Sequence, residues 1–422
     1  MIKFIWILFL SIQVSGFEIS QNTEIEGNVV YIEFDSKFNS YIATRSSTYY
    51  GFYKLDPNNN IIFKKNFTTI YDLKLNSNQD MYILARGSTV DTIWILKSHS
   101  NNLQPVFQYT SKEYIIAPAF MDEEDNILIN TKNGIEILKP DQNIPIAIEN
   151  LQSYNFRIYS TTKDRQGNIY LARISNTPDV NPEIVVITSA AKHQPVPYAT
   201  VVEDVIENDY KINQLTTDSN NNVIFSESLE QSNGKIKLIK DGSVNLVMSQ
   251  LNFLYSGFHV TKHRTFFIAY DYSSEGTSCY VYYIDANMKV SKIDKVFDYP
   301  FYAFQEAQAL GTSDRYGNMF FVNNNNYNFT EILWVRNNET QAQEFFKTIH
   351  PISKIYADNS DVLWVICDIV DGYRQYIQIP IYTGTYTSFS GQAMANIEVL
   401  IENTKTGEIL IGSKDGLFIL TP

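Results

Sequence analysis

Short apolar runs rich in Val, Ile, Tyr and Phe alternate along this chain with turns rich in Asp, Asn, Gly and Ser. Nine times such a turn leads at once into an apolar run. The clearest copies are Asp164-Arg165-Gln166-Gly167-Asn168 before Ile169-Tyr170-Leu171-Ala172, and Asp314-Arg315-Tyr316-Gly317-Asn318 before Met319-Phe320-Phe321-Val322. Weaker copies lead into Ser40, Met81, Ile127, Val223, Phe266, Val362 and Ile409. Successive copies start roughly 40 to 55 residues apart, the period of propeller blades and other repeat arrays.

Runs of this length and composition, bounded by Asx and Gly, read as strands. Asx residues and Gly tolerate left-handed backbone angles and close turns with their own side chains. The fourth unit predicts strands over Phe156–Thr161, Ile169–Arg173, Glu183–Thr188 and Val196–Val202. Four antiparallel strands per unit, repeated, make a β-propeller blade. The last unit offers only Ile397–Ile401, Ile409–Gly412 and Leu417–Leu420 before the sequence stops at Pro422. The extended segment Phe17 to Ile25 is therefore expected to supply the missing strand and close the ring, removing two exposed sheet edges. The expected fold is all-β, a single propeller of nine four-stranded blades, with eight blades and one degenerate unit as the alternative.

Met1-Ile2-Lys3, the apolar run Phe4 to Ile12 and the small residues Val14-Ser15-Gly16 form the pattern of a secretory signal peptide. Residues 1–16 are expected to be removed, leaving 17–422 as one propeller domain, secreted and extracellular. Asn66-Phe67-Thr68, Asn328-Phe329-Thr330 and Asn338-Glu339-Thr340 are glycosylation sequons in that setting. Two cysteines, Cys279 and Cys367, fall in units six and eight, too few for a disulfide scaffold. A formal net charge of −13 repels phosphate backbones and anionic lipid, so neither nucleic acid nor a membrane surface is an expected partner.

Candidate chemistry sits on the face shared by the second-to-third-strand loops and the blade-to-blade connections. Reading the residue that ends each second strand gives Arg45, Arg86, Lys132 and Arg173 in units one to four and Lys414 in unit nine. Units five, six and eight give Glu227, Asp271 and Asp368, and unit seven gives Asn323 and Asn324. Closure would set the cations in one arc and the anions in the other, a field suited to an oriented zwitterion. The long connections Val202–Tyr210 and Phe297–Gln308 belong to the same face. The second carries Tyr299, Phe301, Tyr302 and Phe304, which suit a planar ligand.

Enzyme signatures are missing: no nucleophile elbow, no His-Glu-x-x-His, no phosphate loop and no dinucleotide fingerprint. His99, His193, His259, His263 and His350 are scattered, and the only close pair, His259 and His263, flanks a strand. Asp218, Asn220 and Asn222 begin like a calcium loop, but Val223 stands where the Gly belongs and Leu229 where the Glu does. No cofactor is expected, with a central calcium held by Glu227, Asp271 and Asp368 as the alternative. Trp94, Trp334 and Trp364 lie in strands and are expected to pack between blades.

Asn130-Thr131-Lys132-Asn133-Gly134-Ile135-Glu136-Ile137-Leu138 and Gly412-Ser413-Lys414-Asp415-Gly416-Leu417-Phe418-Ile419-Leu420 resemble the repeat steps of secreted insect propellers similar to ommochrome-binding proteins. Those are similar in turn to the SMP-30, NHL and two-component-regulator propellers, which share the Asp-x-x-Gly-Asn turn. The first resemblance implies a carrier of a tryptophan-derived pigment, and the SMP-30 relation implies a calcium-dependent lactonase or ester hydrolase. No functional residue is carried over from either. The expected function is a non-enzymatic binder of a small aromatic or zwitterionic metabolite. The alternatives are that hydrolase and a scaffold for another extracellular protein.

Overall fold

The computed structural model describes residues 18–421 apart from 111–113, 141, 152–155, 176–181, 203–210, 230–231, 241, 252, 255–257, 274–275, 298–310, 326–328, 359, 371–372, 384–385, 393–396 and 404. Nine antiparallel sheets follow one another around a ring, which makes the fold a nine-bladed β-propeller. Eight sheets have four strands. The sixth has five, because its inner strand is split into Phe253–Leu254 and His259–Val260. Blade 1 shows the common order from channel to rim: Asn28–Phe34, Ser40–Arg45, Tyr50–Leu55 and Ile61–Phe67.

Blade 9 takes its outermost strand from the other end of the chain. Glu18–Asn22 pairs antiparallel with Gly416–Thr421, Glu18 opposite Thr421 and Asn22 opposite Leu417. The expected closure by the N-terminal segment is thus what the structure has. Residues 1–17, which include the expected signal peptide, lie outside the described residues.

The hydrophobic core is divided into nine clusters, and each one sits in the seam between two neighbouring blades. Alternation along a strand explains this, since successive side chains point to opposite sheet faces. On the second strand of blade 1, Tyr41 and Ala43 enter the seam with blade 2, whereas Ile42 enters the seam with blade 9. The ring closes through that last cluster, where Val29, Ile42 and Tyr53 of blade 1 meet Leu410 and Leu417. Packing there is close enough that a Cβ on Gly412 would lie 2.6 Å from Val29 Cγ1. Trp94, Trp334 and Trp364 pack in the seams as expected.

The recurrent turn has a single physical basis. In Asp164-Arg165-Gln166-Gly167-Asn168 one carboxylate oxygen accepts the backbone N–H groups of Gln166 and Asn168, at 3.0 and 2.9 Å. The other accepts the Asn168 carboxamide at 2.8 Å. Asp35, Asp122, Asp218 and Asp314 repeat all three bonds, and Asp358 replaces the third with the Trp364 indole N–H at 2.8 Å. The fourth residue of the turn has positive φ in every case. Gly167 and Gly317 adopt it freely. Phe38, Asp125, Asn221 and Asp361 are held there by the network. Asp218 therefore closes a hairpin, which accounts for its failure as a calcium loop.

Neighbouring turns also bond to each other. Ser77 donates its N–H to Asp125 at 2.8 Å, and Arg165 its guanidinium to the Ser219 carbonyl at 2.9 Å. Arg315 reaches Asp361 at 2.6 Å. The strongest such link is Lys192, which is 1% exposed and lies 2.6 Å from Asp122. It ends a short helix, Ser189–Lys192, between the third strand of blade 4 and the expected fourth strand, Val196–Val202. The outer strand of blade 4 is reduced to Thr200–Val201. Burial works to raise the Asp122 carboxyl, but its hydrogen bonds to Lys192 and Asn126 hold it below the usual range. Cys367 is a buried thiol in blade 8, a full blade away from the strand Gly276–Ile284 that carries Cys279.

Asp164→Ala removes three bonds of one turn and is expected to lower the unfolding free energy by about 1–3 kcal/mol. Denaturant unfolding should show Gln166→Ala to be far milder. Burial also pushes the His259 imidazole below its usual pKa. The unfolded chain then binds a proton near pH 6.5 that the folded chain refuses, so stability is full above that value and declines as pH falls. Unfolding measured from pH 7.5 to pH 5.5 should show this decline, and His259→Leu should flatten it.

Candidate functional site

In seven blades the inner and second strands slip register by one residue at the same level near the mouth. A β-branched residue on the inner strand precedes each slip: Val29, Ile70, Ile115, Ile158, Ile212, Ile352 and Ile397. Their partners on the second strands are Thr44, Ala85, Thr131, Arg173, Glu227, Cys367 and Ser413. These positions are equivalent, and each caps the mouth end of the seam with the preceding blade.

This register separates residues that the sequence reading had grouped. Arg45, Arg86, Lys132, Asp368 and Lys414 sit one residue further on and point to the opposite side of the strand. Arg173 and Glu227 do not share their position. Asn323, by its distance from its turn, belongs with Arg173 and Glu227. The expected single ring of charges is therefore two sets, one facing each way.

The outer set is exposed or tied to local partners. Arg45 and Lys414 are exposed, as is Asp368, whose backbone N–H donates to the Pro351 carbonyl at 2.7 Å. Lys132 lies 5.8 Å from the centre of the Tyr114 ring. Arg86 is held by Asp91, with Nε at 2.7 Å. Asp91 is fully buried and also accepts the Tyr71 hydroxyl and, at 2.8 Å, the Ile115 N–H of the next blade. Burial, followed by the Asp91 charge, pushes the Tyr71 hydroxyl up to about 12.

The inner set is different. Five seams carry a small residue at this level: Thr44, Ala85, Thr131, Cys367 or Ser413. The seam between blades 3 and 4 instead carries Arg173, 7% exposed, with Nε and Nη2 at 3.0 and 2.6 Å from Glu183 Oε2. The seam between blades 4 and 5 carries Glu227, fully buried, 2.6 Å from Lys237 Nζ. Asn323 continues the series in blade 7, its amide 3.3 Å from Glu331. Opposite charges thus stand at successive seam ends where five other blades place small side chains. Asp271 lies opposite Ser278 and Asn324 opposite Thr330. The side chains of Asp271 and Asn324, together with Tyr299, Tyr302 and Asn328, lie outside the described residues.

Deeper in the channel wall, Glu33 of blade 1 neighbours Asp72 and Lys74 of blade 2. Burial raises the Glu33 carboxyl, Lys74 opposes that shift and Asp72 adds to it. No group of three or more His, Cys, Asp or Glu side chains with metal-binding geometry occurs among the described residues. Two cavities of 520 Å³ lie away from the channel. One, on the turn face between blades 6 and 7, is lined by Lys262, His263, Arg315 and Arg336. The other lies between the rims of blades 1 and 2.

No family model and no curated protein matches the chain. Among solved structures, it is similar to dipeptidyl peptidase 4 of Porphyromonas gingivalis, with a TM-score of 0.54, 8% identity, and coverage of 92% of this chain and 65% of that one. Virginiamycin B lyase of Staphylococcus aureus aligns over 96% of this chain and 99% of its own at 11% identity, with a TM-score of 0.40. What the peptidase likeness establishes is the propeller fold.

A buried carboxylate that serves three residues, Arg86, Tyr71 and Ile115, is costly to remove. Asp91→Ala is expected to lower stability by about 3–5 kcal/mol, and Arg86→Ala by much less, because Arg86 is partly exposed. Comparing the two variants by thermal and denaturant unfolding checks the ranking.

Proposed function

We propose that the chain is a secreted, non-enzymatic carrier of a small zwitterionic or aromatic metabolite, bound at the channel mouth over blades 4 and 5. The observation that carries this reading is the pair of buried, oppositely charged residues at successive seam ends, Arg173 and Glu227. Buried ion pairs often add no stability over apolar residues of the same size, and five blades fill this position without them. Placed together at a mouth, they form a preorganised floor for a molecule bearing both signs. The acidic residues of 203–210 and the aromatic residues of 298–310, which lie outside the described residues, match such a ligand in their chemistry. Lys132 of blade 3 is the outer-set residue nearest to these blades in ring order, and Arg86 braces blade 2 against blade 3 through Asp91. Resemblance to ommochrome-binding propellers favours a pigment-like cargo, and the 1–16 signal pattern favours secretion.

A second reading, a docking scaffold for another extracellular protein, draws on exposed apolar side chains at the rim of blades 3 and 4. Ile144, Val196, Tyr198 and Val201 are 66%, 55%, 41% and 45% exposed.

Native mass spectrometry, absorbance and metal analysis of protein from its own secretory source distinguish the readings. The carrier predicts one co-purifying small molecule per chain and no stoichiometric metal. A calcium ion with no organic ligand would instead support a metal-dependent hydrolase, and an empty protein the scaffold. With the cargo identified, Arg173→Met and Glu227→Gln should each weaken binding by about tenfold or more. Unchanged affinity in both variants contradicts the site.

A further inference from the structure

The cavity between the rims of blades 1 and 2 differs in composition from the charge-lined cavity between blades 6 and 7. Among its lining residues only Lys65 carries a formal charge. The remainder are hydroxyl and amide side chains, including Ser88, Thr89, Thr92 and Gln108, around the rings of Phe67 and Trp94. Those two rings lie 6.1 Å apart, tilted at 60°. Thr92 and Trp94 share one face of their strand, the face turned to blade 1. The backbone of Gly87 borders the cavity with nothing within 4 Å of where a Cβ would stand.

One polar atom here is out of balance. The indole Nε1 of Trp94 is buried and has no hydrogen-bond partner. That atom has almost no exposed surface, so the cavity presents the ring of Trp94 rather than its N–H. The Trp364 indole N–H, by contrast, is met by Asp358 at 2.8 Å. An anion would find one lysine and a row of hydroxyls. A neutral polyhydroxylated ring would find what its chemistry matches: hydroxyls and an amide for its hydroxyls, and apolar faces for its C–H groups.

We propose that this groove holds a neutral saccharide, seated against the ring of Trp94. Two sources supply that chemistry. One is a free oligosaccharide. The other is a glycan on Asn66, which is exposed at the cavity rim within the sequon Asn66-Phe67-Thr68, and this source rests on the secretory reading above. The groove is independent of the channel mouth, so failure of either site leaves the other untouched.

The test follows the indole N–H signals of the full chain labelled with ¹⁵N-tryptophan, with Trp94 assigned through Trp94→Phe. If the source is the chain's own glycan, enzymatic deglycosylation shifts the Trp94 signal, and Asn66→Gln protein recovers the shift when titrated with N,N′-diacetylchitobiose. If the source is a free saccharide, deglycosylation leaves the signal in place, while N,N′-diacetylchitobiose or maltose moves it saturably. In either case Thr89→Val, a loop substitution outside the core, weakens the titrated saccharide by about threefold to tenfold. A Trp94 signal unmoved by deglycosylation and by both sugars overturns the proposal, as does one moved by inorganic phosphate alone.

Discussion

No blade of this protein buries its faces alone. Each sheet has two apolar sides, and every core cluster is made half by one blade and half by the next. The structure therefore depends on closing the ring. An open array would leave one face of blade 1 and one of blade 9 in water, along with the edges that invite aggregation. Pairing of Glu18–Asn22 with Gly416–Thr421 ties the two ends of the chain into one sheet. The seam of Val29, Ile42, Tyr53, Leu410 and Leu417 then completes the circle.

Against that repeating core, the turn carboxylates set the geometry of each wedge. An aspartate that satisfies two backbone donors and a carboxamide fixes the hairpin between the first and second strands, and with it the register of the whole blade. This is why the repeat was legible. The Asx-rich turns mark the start of the second strands at Ser40, Met81, Ile127, Ile169, Val223, Met319 and Val362. Blades 6 and 9 start one residue earlier than read, at Thr265 and Glu408. The blade count and the source of the closing strand were equally visible, because a three-strand last unit demands a partner.

The site was half legible. The charges themselves could be picked from the sequence, but not the one-residue register slip near the mouth. Each slip skips a residue on the inner strand and leaves the second strand continuous, so alternation along the second strand decides which side each terminal residue faces. Arg86 and Arg173 look alike in sequence, yet Arg86 faces blade 3 and holds Asp91 of its own blade, whereas Arg173 of blade 4 is buried against Glu183 of its own blade in the seam with blade 3. The β-branched residue before each slip was the available signal, and it emerges only once the pairings are aligned. The helix Ser189–Lys192 escaped for a different reason: four residues are too few to show helical periodicity.

The account holds that the charges at the seam ends serve a ligand rather than the fold. The most direct measurement replaces the Arg173–Glu183 pair as a unit, Arg173→Met with Glu183→Leu, and records unfolding free energy and cargo binding on the same protein. The account predicts stability within about 1 kcal/mol of the parent, or above it, with binding lost. A stability loss of several kcal/mol with binding retained would contradict it and return the pair to the fold.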